Sequence, residues 1–477
     1  MIELRNYQKQ AIADLRKSII AGNKKNILSL ATGGGKTIIF SYMCSRAVEK
    51  SKRVLIVTDR IELITQAGGT LDKFGLKPVE IKSGRKLKSF NALLYTGMAQ
   101  TLCRRIKTKE YQEFFNSIDL FIFDESHKQS FNRLMPFVPE RATVIGATAT
   151  PHREKNQTSL DEFYNGLVEG VSISKLIELG FLSRPESYGV KVDLSGIKTK
   201  GGDYDDKTMG DKYDEIQLYH GVYENYMRIT PNQKAIIFAP NIKASKTLVC
   251  DFKDKGLPIE HLDGETPTAE RKRILKWYKE TSNAMISNVG ILNAGFDDPS
   301  ILVVILYRAT KSLPLYLQMV GRGSRVINGV KDKFTILDFG NNIARHGFWE
   351  QDREWSLKRK PKSDGVAPVK DCPSCFAMLP ASVPDCKYCG HIFEKTEKEK
   401  QEEVIAELQK LTYAQIQDEV KTANFERLHQ IATAKGYRKS WIYYHLKTEE
   451  ELINYANWKG YHINWVNHQL NMRKNEE

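Results

Sequence analysis

Between Asn26 and Thr37 the chain reads NILSLATGGGKT: an apolar run, Ile27 to Leu30, then Thr32, three glycines, Lys36 and Thr37. Helix-compatible apolar residues follow, Ile38 to Met43. Strand, glycine loop and helix in that order make a phosphate cradle. Gly33, Gly34 and Gly35 let the backbone turn tightly and aim N–H groups at phosphate oxygens. The helix that starts there adds its positive end. Lys36 can reach the β- and γ-phosphates of a nucleotide, and the Thr37 hydroxyl can hold Mg²⁺. Position 30 is Leu where the strict pattern G-x-x-x-x-G-K-[ST] has Gly, so the loop is a P-loop variant.

Three further stretches carry chemistry. LFIFDESH, residues 120–127, delivers Asp124 and Glu125 to the end of an apolar strand. Adjacent carboxylates there are costly unless they serve a cation. Asp124 can hold Mg²⁺ through water, and Glu125 can orient and activate an attacking water. GATATP, 146–151, ends the next strand with Thr148 and Thr150, small hydroxyl residues able to link a phosphate site to another surface. In QMVGRGSR, 318–325, Arg322 and Arg325 lie three apart. A planar, always-charged fork suits the γ-phosphate, and in an NTPase the two would act as arginine fingers. Separately, Cys372, Cys375, Cys386 and Cys389 form two C-x₂-C pairs ten residues apart, enough thiolates for a tetrahedral Zn²⁺. That segment is poor in apolar residues and needs a metal to fold. His391 is surplus to such a site.

These residues need a scaffold. Val54–Thr58, Ala92–Thr96, Leu120–Asp124 and Thr143–Thr148 read as buried strands, and 1–25 as an amphipathic helix with Leu4, Ile12, Leu15 and Ile19 on one side. A second set of strands, Ala235–Ala239, Ala284–Ser287, Ile301–Tyr307 and Phe334–Phe339, follows a stretch rich in Gly, Asp and Lys. Strand alternating with helix implies α/β architecture with parallel sheets, functional residues standing at the carboxyl ends of the strands. We therefore expect two tandem parallel-sheet lobes, then a zinc ribbon and a small helical C-terminal domain. The boundaries read 1–182 for an ATP-binding first lobe, 183–228 for a linker or substrate-contacting insertion, 229–355 for the second lobe, 356–394 for a basic linker and zinc ribbon, and 395–477 for a helical tail.

The chain has 477 residues and a net charge of +14, which favours an anionic polymer as partner. No apolar run approaches membrane-spanning length, and MIELRNYQKQ is no secretory signal. Scattered thiols (Cys44, Cys103, Cys250) plus one cluster suit a reducing cytoplasm with a metal site. Candidate phosphate contacts are Lys82, Arg85, Lys86 and Lys88, then Arg104, Arg105 and Lys107, and Lys358, Arg359, Lys360 and Lys362. For any single lysine among them a solvated surface is the commoner role. Residues 395–412 read as a charge-rich helix. The last sixty residues interleave Tyr437, Arg438, Lys439, Trp441, Tyr443, Tyr444, Trp458, Tyr461 and Trp465. Rings and cations so spaced either stack bases or, more commonly, form the core of a small helical domain, with Arg438 and Lys439 as surface contacts.

LRNYQ at 4–8, LATGGGKT at 30–37, DESH at 124–127 and TAT at 148–150 resemble, in order, the motifs of superfamily 2 helicases, where DESH is most often DEAD or DEAH. The resemblance covers roughly residues 1 to 350. It implies two RecA-like lobes with ATP between them. By it Arg5 and Gln8 lie near the adenine, His127 couples the ATP site to the second lobe, Gly295 and Asp297 sit near the ribose, and Gln318 faces the nucleotide. VTDRIELITQ, 57–66, and TGMAQTL, 96–102, are similar to its nucleic-acid-contacting segments. LIELGFLSRP, HLDGETPTAER, LYLQMVGRGSR and the cysteine cluster resemble RadD-like DNA-repair helicases. The size and the tail AKGYRKSWIYYHLK look more like bacteriophage motors related in role to UvsW-type branch-migration helicases, a resemblance that implies the cytoplasm of a bacterial cell or a phage-infected host.

The expectation is an ATP- and Mg²⁺-dependent DNA helicase or translocase acting on forked or branched DNA in replication, recombination or repair. The ribbon or tail would bind DNA or a replication or repair protein, or serve as a structural clip. The alternatives are a duplex translocase without unwinding, as in restriction-type motors, an RNA helicase, and an ATP-gated recruitment platform. No nuclease signature is evident.

Overall fold

The computed structural model describes residues 3–59, 69–84, 87, 89–153, 158–189, 194, 196–200, 202–215, 218–293, 296–358, 369–375, 377–381, 383–393, 442, 446 and 448–474. Two compact units emerge, Met1–His391 and Ile392–Glu477.

The first unit holds two all-parallel sheets. Strands β1 (Lys25–Ser29), β2 (Val54–Thr58), β3 (Val79–Ile81), β4 (Leu94–Met98), β5 (Leu120–Asp124), β6 (Thr143–Thr148) and β7 (Gly166–Glu169) form the first, in the order β3-β4-β2-β5-β6-β1-β7. β6 lies between β1 and β5, with Ser29 opposite Thr148 and Asp124 opposite Ala147. The ends of these three strands are thus neighbours, and the glycine loop, DESH and TAT follow from them. The inner strands β1, β2, β4, β5 and β6 are buried on both faces, which suits their apolar runs, while the edge strands β3 and β7 are only partly buried. The fourth strand sits two residues later than the sequence suggests, because Val54 of β2 pairs with Leu94.

The second sheet contains β8 (Arg184–Gly189), β11 (Ala235–Phe238), β12 (Ile259–Leu262), β13 (Met285–Asn288), β14 (Val303–Leu306) and β15 (Lys333–Asp338), with β9 (Thr199–Lys200) and β10 (Asp203–Tyr204) as a separate hairpin. The order is β12-β13-β11-β14-β15-β8. Residues 184–189, expected within a linker, are instead the edge strand of this sheet, in register with β15 from Arg184–Lys333 to Gly189–Asp338. The Gly- and Asp-rich stretch after it is also bound to the second lobe. Asp203 accepts from the Thr310 hydroxyl and the Lys311 N–H, both at 2.5 Å, and Tyr204 is buried.

Strands β16 (Val369–Asp371) and β17 (Met378–Pro380) form an antiparallel pair, with Cys372 and Cys375 in the segment that joins them and Cys386 and Cys389 after β17. It leans on β8: Ala377 bridges Tyr188, and Met378 packs into the apolar core beneath the second sheet.

In the second unit, the helices Glu449–Lys459 and Ile463–Lys474 pack around Ile442, Leu446, Leu452, Tyr455, Ala456 and Val466. Thr448 and Glu451 cap the first of them reciprocally, and Gly460 ends it at φ 70°. Tyr455 and Trp465 are core rings with centroids 5.8 Å apart, whereas Trp458 and Tyr461 are exposed. Tyr437, Arg438, Lys439, Trp441, Tyr443, Tyr444 and the helix expected over 395–412 lie outside the described residues. Among the described residues no helix is long and apolar enough to cross a membrane.

Candidate active site

The glycine loop leaves β1 and ends at Gly35, left-handed at φ 82°, from which the helix Lys36–Val48 starts. Gly33 is also left-handed, at φ 88°. Both positions are closely covered. A Cβ on Gly35 would stand 2.5 Å from Gln8 Nε2, and one on Gly33 would stand 2.7 Å from both Arg325 Nη1 and Leu182 Cδ2. Glycine is thus required twice over, by conformation and by space.

Gln8 reaches this position because it closes a cap on the first helix. Its Oε1 accepts the Arg5 N–H at 3.0 Å, and the side chain is buried. Tyr7 donates its hydroxyl to Gly34 O at 3.2 Å. Arg5 lies over the Phe181 ring, 3.9 Å from its centroid, and Arg5, Tyr7, Leu179 and Phe181 line an open cleft of about 410 Å³. A cation, two rings and an open face suit a planar heterocycle.

Lys36 Nζ and Glu125 Oε1 are 3.7 Å apart, both largely buried. Glu125 adopts φ 56°, which turns its side chain off the strand end toward the loop. Burial pushes its carboxyl up, but Lys36, His127, Lys128 and Arg322 together hold it below its ordinary value. Asp124 moves the other way, raised by burial and by the neighbouring Glu125 charge. The pair therefore has room for added positive charge, as a Mg²⁺ held by Asp124 and the Thr37 hydroxyl would supply.

Behind the carboxylates, His127 Nδ1 meets the Thr148 hydroxyl at 2.8 Å, and that hydroxyl accepts the Thr150 N–H at 2.9 Å. Burial holds the His127 imidazole down to about 4. Sequence reasoning missed Arg153. Its buried guanidinium donates to the carbonyls of His127 and Thr158 at 2.9 Å and of Ser126 and Lys128 at 3.3 Å. A cation directly after the TATP turn was the available signal.

From the second lobe, Arg325 reaches the glycine loop while its Nε donates to Asp297 Oδ1 at 2.8 Å. Leu182 bridges Arg325, and Ser183 donates to its carbonyl at 2.8 Å, so the chain joining the lobes also holds this arginine. Arg322 donates to the carbonyls of Phe296 and Asn293, with its charge felt at Glu125. Gln318 shares a cleft of about 340 Å³ with His127, Lys128, His152 and Ser312. Gly321 packs on Thr32, where a Cβ would come within 2.8 Å of Thr32 Cγ2. Gly295 lies outside the described residues. So do most of the 57–66 segment, Arg85, Lys86, Lys88, Arg359, Lys360 and Lys362. Asp59 of that segment pairs with Lys128 at 2.5 Å. Arg105 is not a free cation: it donates to the Tyr111 hydroxyl at 2.7 Å and the Lys82 carbonyl at 3.0 Å.

The four sulfurs of Cys372, Cys375, Cys386 and Cys389 lie within 4.8 Å of one another. Cys372 and Cys389, and Cys375 and Cys386, are each 3.6 Å apart. A tetrahedron with Zn–S bonds of about 2.3 Å sets its sulfurs about 3.8 Å apart, whereas a disulfide needs about 2 Å. The donor set fits zinc.

Two family models match the chain: the type III restriction enzyme res subunit over residues 1–153, and the helicase conserved C-terminal domain over 218–326. A 51.5 kDa protein of a Lactococcus phage is 28% identical over 387 residues, covering 79% of this chain and 80% of that protein. A Saccharomyces cerevisiae protein, provisionally named the ATP-dependent helicase IRC3, is 29% identical over 361 residues. There the match covers 70% of this chain and only 51% of the yeast protein. The type ISP restriction-modification enzyme LlaBIII, solved bound to DNA, superposes with a TM-score of 0.55 at 20% identity, over 71% of this chain and 28% of that one. That last likeness is one of fold.

Proposed function

We propose that this chain, which belongs to superfamily 2 of the helicases, is a motor that couples ATP hydrolysis to movement on DNA, with forked or branched DNA as its substrate. The observation that carries the reading is the approach of Arg325 to Gly33, a second-lobe cation on the first-lobe glycine loop. In this reading ATP lies in the cleft, its base by Arg5, Gln8 and the Phe181 ring. Lys36 and the N–H groups of Gly33 to Gly35 hold the phosphates. Mg²⁺, held by Thr37 and Asp124, would neutralise phosphate charge. Glu125 orients the attacking water, and Arg322 and Arg325 stabilise the charge that develops. Asp297 holds Arg325 until the γ-phosphate competes for it. Cleft closure on binding and opening after hydrolysis make the stroke. His127 and Thr148 carry the state of the phosphate site to the cleft that Gln318 lines. Zinc in the four-cysteine site would fold the β16–β17 module as a ribbon, which a DNA arm or a repair protein would contact.

A second reading is favoured by the match to restriction res subunits: translocation along duplex DNA without strand separation. One experiment addresses both. ATP hydrolysis is measured with no nucleic acid and with single strand, duplex, fork, four-way junction and RNA. Preference for forks or junctions supports the first reading, and equal stimulation by plain duplex, with triplex displacement but no unwinding, supports the second. Preference for RNA, or no dependence on nucleic acid, rejects both.

A further inference from the structure

Beneath the arginines of the second lobe lies a buried cation with no task yet assigned. Lys331 is only 4% exposed, a rare place for a lysine. The chain reverses just after Arg325 to put it there. Ile327 and Lys331 pair across a short turn in which Gly329 is left-handed, at φ 72°. The reversal carries the lysine back under the QMVGRGSR stretch, where its Nζ donates to two carbonyls, Gly323 O at 2.6 Å and Pro299 O at 3.1 Å.

Those two carbonyls belong to the two loops that hold the arginines. Gly323 stands between Arg322 and Arg325 in the chain. Pro299 ends the stretch on which both arginines rest: Arg322 donates to the carbonyls of Asn293 and Phe296, and Arg325 to Asp297. The arginines tie the loops together near the nucleotide cleft, and Lys331 ties them from the buried side. The Gly323 backbone is also pressed onto the sheet, since a Cβ there would stand 2.4 Å from Phe334 Cδ2 and 2.8 Å from Val304 Cγ2.

Asp298 supplies the local negative charge. Its Oδ1 accepts the Ser300 N–H at 2.9 Å and the Ser300 hydroxyl at 2.6 Å, and its Oδ2 lies 3.5 Å from the buried Lys234 Nζ. The hydrogen bonds of Lys234 go to the Ser300 hydroxyl at 2.9 Å and the Lys279 carbonyl at 3.3 Å, away from the arginine loop. Burial pulls the Lys331 ammonium down to about 7; Asp298 opposes this and Arg325 adds to it. Ammonium or amine, the group has an N–H for each carbonyl, so what it contributes is a two-point donor. An apolar side chain of similar length would fill the same space without burying a charge. The two carbonyls are what call for a lysine.

We propose that Lys331 is the positioning residue of the arginine loop: by holding Gly323 to Pro299 it sets where Arg322 and Arg325 stand relative to the γ-phosphate. This rests on the proposed role of those arginines and extends it to a residue that meets no nucleotide. An arginine set out of place forfeits stabilisation of the charge that develops in the transition state, while the first-lobe cradle still binds ATP. The signature is a fall in kcat at constant KM.

The test is steady-state ATP hydrolysis by the full chain with forked DNA present, together with urea unfolding. Five proteins are compared: wild type, K331M, K234M, R325A and K331M/R325A. K331M should lower kcat by about 10- to 100-fold with KM for ATP unchanged. K234M removes the other buried lysine beside Asp298 without reaching the arginine loop, so it should lower the unfolding midpoint and keep kcat near wild type. R325A should lower kcat at least about 100-fold, and the loss in the double variant should fall well short of the product of the two single losses, as it must when two residues act through one loop. A wild-type kcat in K331M, an equal fall in K234M, a rise in KM with kcat constant, or losses that multiply in the double variant would each overturn the inference alone. Where K331M does not fold, K331Q decides: its amide is too short to bridge both carbonyls and should show the same fall in kcat at constant KM, and a wild-type kcat there overturns the inference too. Wild-type turnover in R325A would remove the assigned role of the arginines, and that of Lys331 with it.

Discussion

His127 Nδ1 and the Thr148 hydroxyl are 2.8 Å apart, so the turn after β5 and the end of β6 share one hydrogen bond. The same hydroxyl accepts the Thr150 N–H, and Thr148 is fully buried. Thr148→Val keeps the shape and removes the oxygen, leaving two buried groups without their partner. We expect a loss of about 1–3 kcal/mol in urea unfolding, and a larger proportional drop in nucleic-acid-stimulated than in basal ATP hydrolysis. Thr148→Ser keeps the oxygen and should behave as wild type. A valine variant with both properties intact would remove this bond from any account of coupling.

Arg153 ties three consecutive residues, Ser126, His127 and Lys128, to Thr158 through their carbonyls. A lysine cannot serve four acceptors arranged for a planar fork. Arg153→Lys should therefore cost about 1–3 kcal/mol and lower kcat for ATP with little change in KM, because the turn that carries Glu125 loosens while the glycine loop does not. If KM rises instead with kcat constant, Arg153 acts on nucleotide binding and the positioning argument fails.

The site's main parts are legible because each is one contiguous stretch at the end of one strand, and a parallel sheet brings such ends together without further information. The glycine loop, Asp124–Glu125 and Thr148 belong to this class. Relations set by distant pairing are not legible. Residues 184–189 have a modest apolar pattern, and only their register with β15 makes them a strand. The same is true of Arg105, which local sequence groups with Arg104 and Lys107 but which the fold gives to Tyr111. Arg153 was missed because its four partners are carbonyls, which leave no trace in side-chain identity.

Lys36 and Glu125 face each other at 3.7 Å with little exposure. On the proposed roles, Lys36→Ala removes the phosphate cation and Glu125→Gln removes the group that orients water. Each should lower ATP turnover by at least about 100-fold while DNA binding survives. Glu125→Gln should still bind nucleotide, since its isosteric amide leaves the cradle intact. Turnover retained in either variant would sink the assigned site.

The sulfur positions fit one Zn²⁺, and Met378 and Val369 join this module to the apolar core of the second lobe. We expect about one equivalent of zinc in the purified chain, released by a mercurial reagent. Cys375→Ser should lose that zinc and lower the unfolding midpoint, because β16 and β17 have little apolar area of their own. A protein free of zinc, with the same midpoint as Cys375→Ser, would show that the thiols need no metal.

Acid should destabilise the chain through its buried histidines. His346 stacks on Tyr316 with centroids 5.3 Å apart, and its Nε2 lies 2.9 Å from the Thr310 carbonyl. Burial holds it down to about 4 against the upward pull of the Thr310 carbonyl, with Arg345 and Arg353 adding to burial and Asp203 opposing them more weakly. An unfolded histidine titrates near 6.5, so between these values the unfolded chain binds more protons than the folded one. Stability is therefore complete above about pH 6.5 and declines as pH falls toward 4, by about 2 kcal/mol from this residue at pH 5. His346→Gln keeps an N–H donor for Thr310 and cannot titrate. Its loss of stability between pH 7 and pH 5, read by urea unfolding, should be smaller than wild type's by about that amount. An equal loss in both proteins would mean that the decline originates at other groups, His127 first among them.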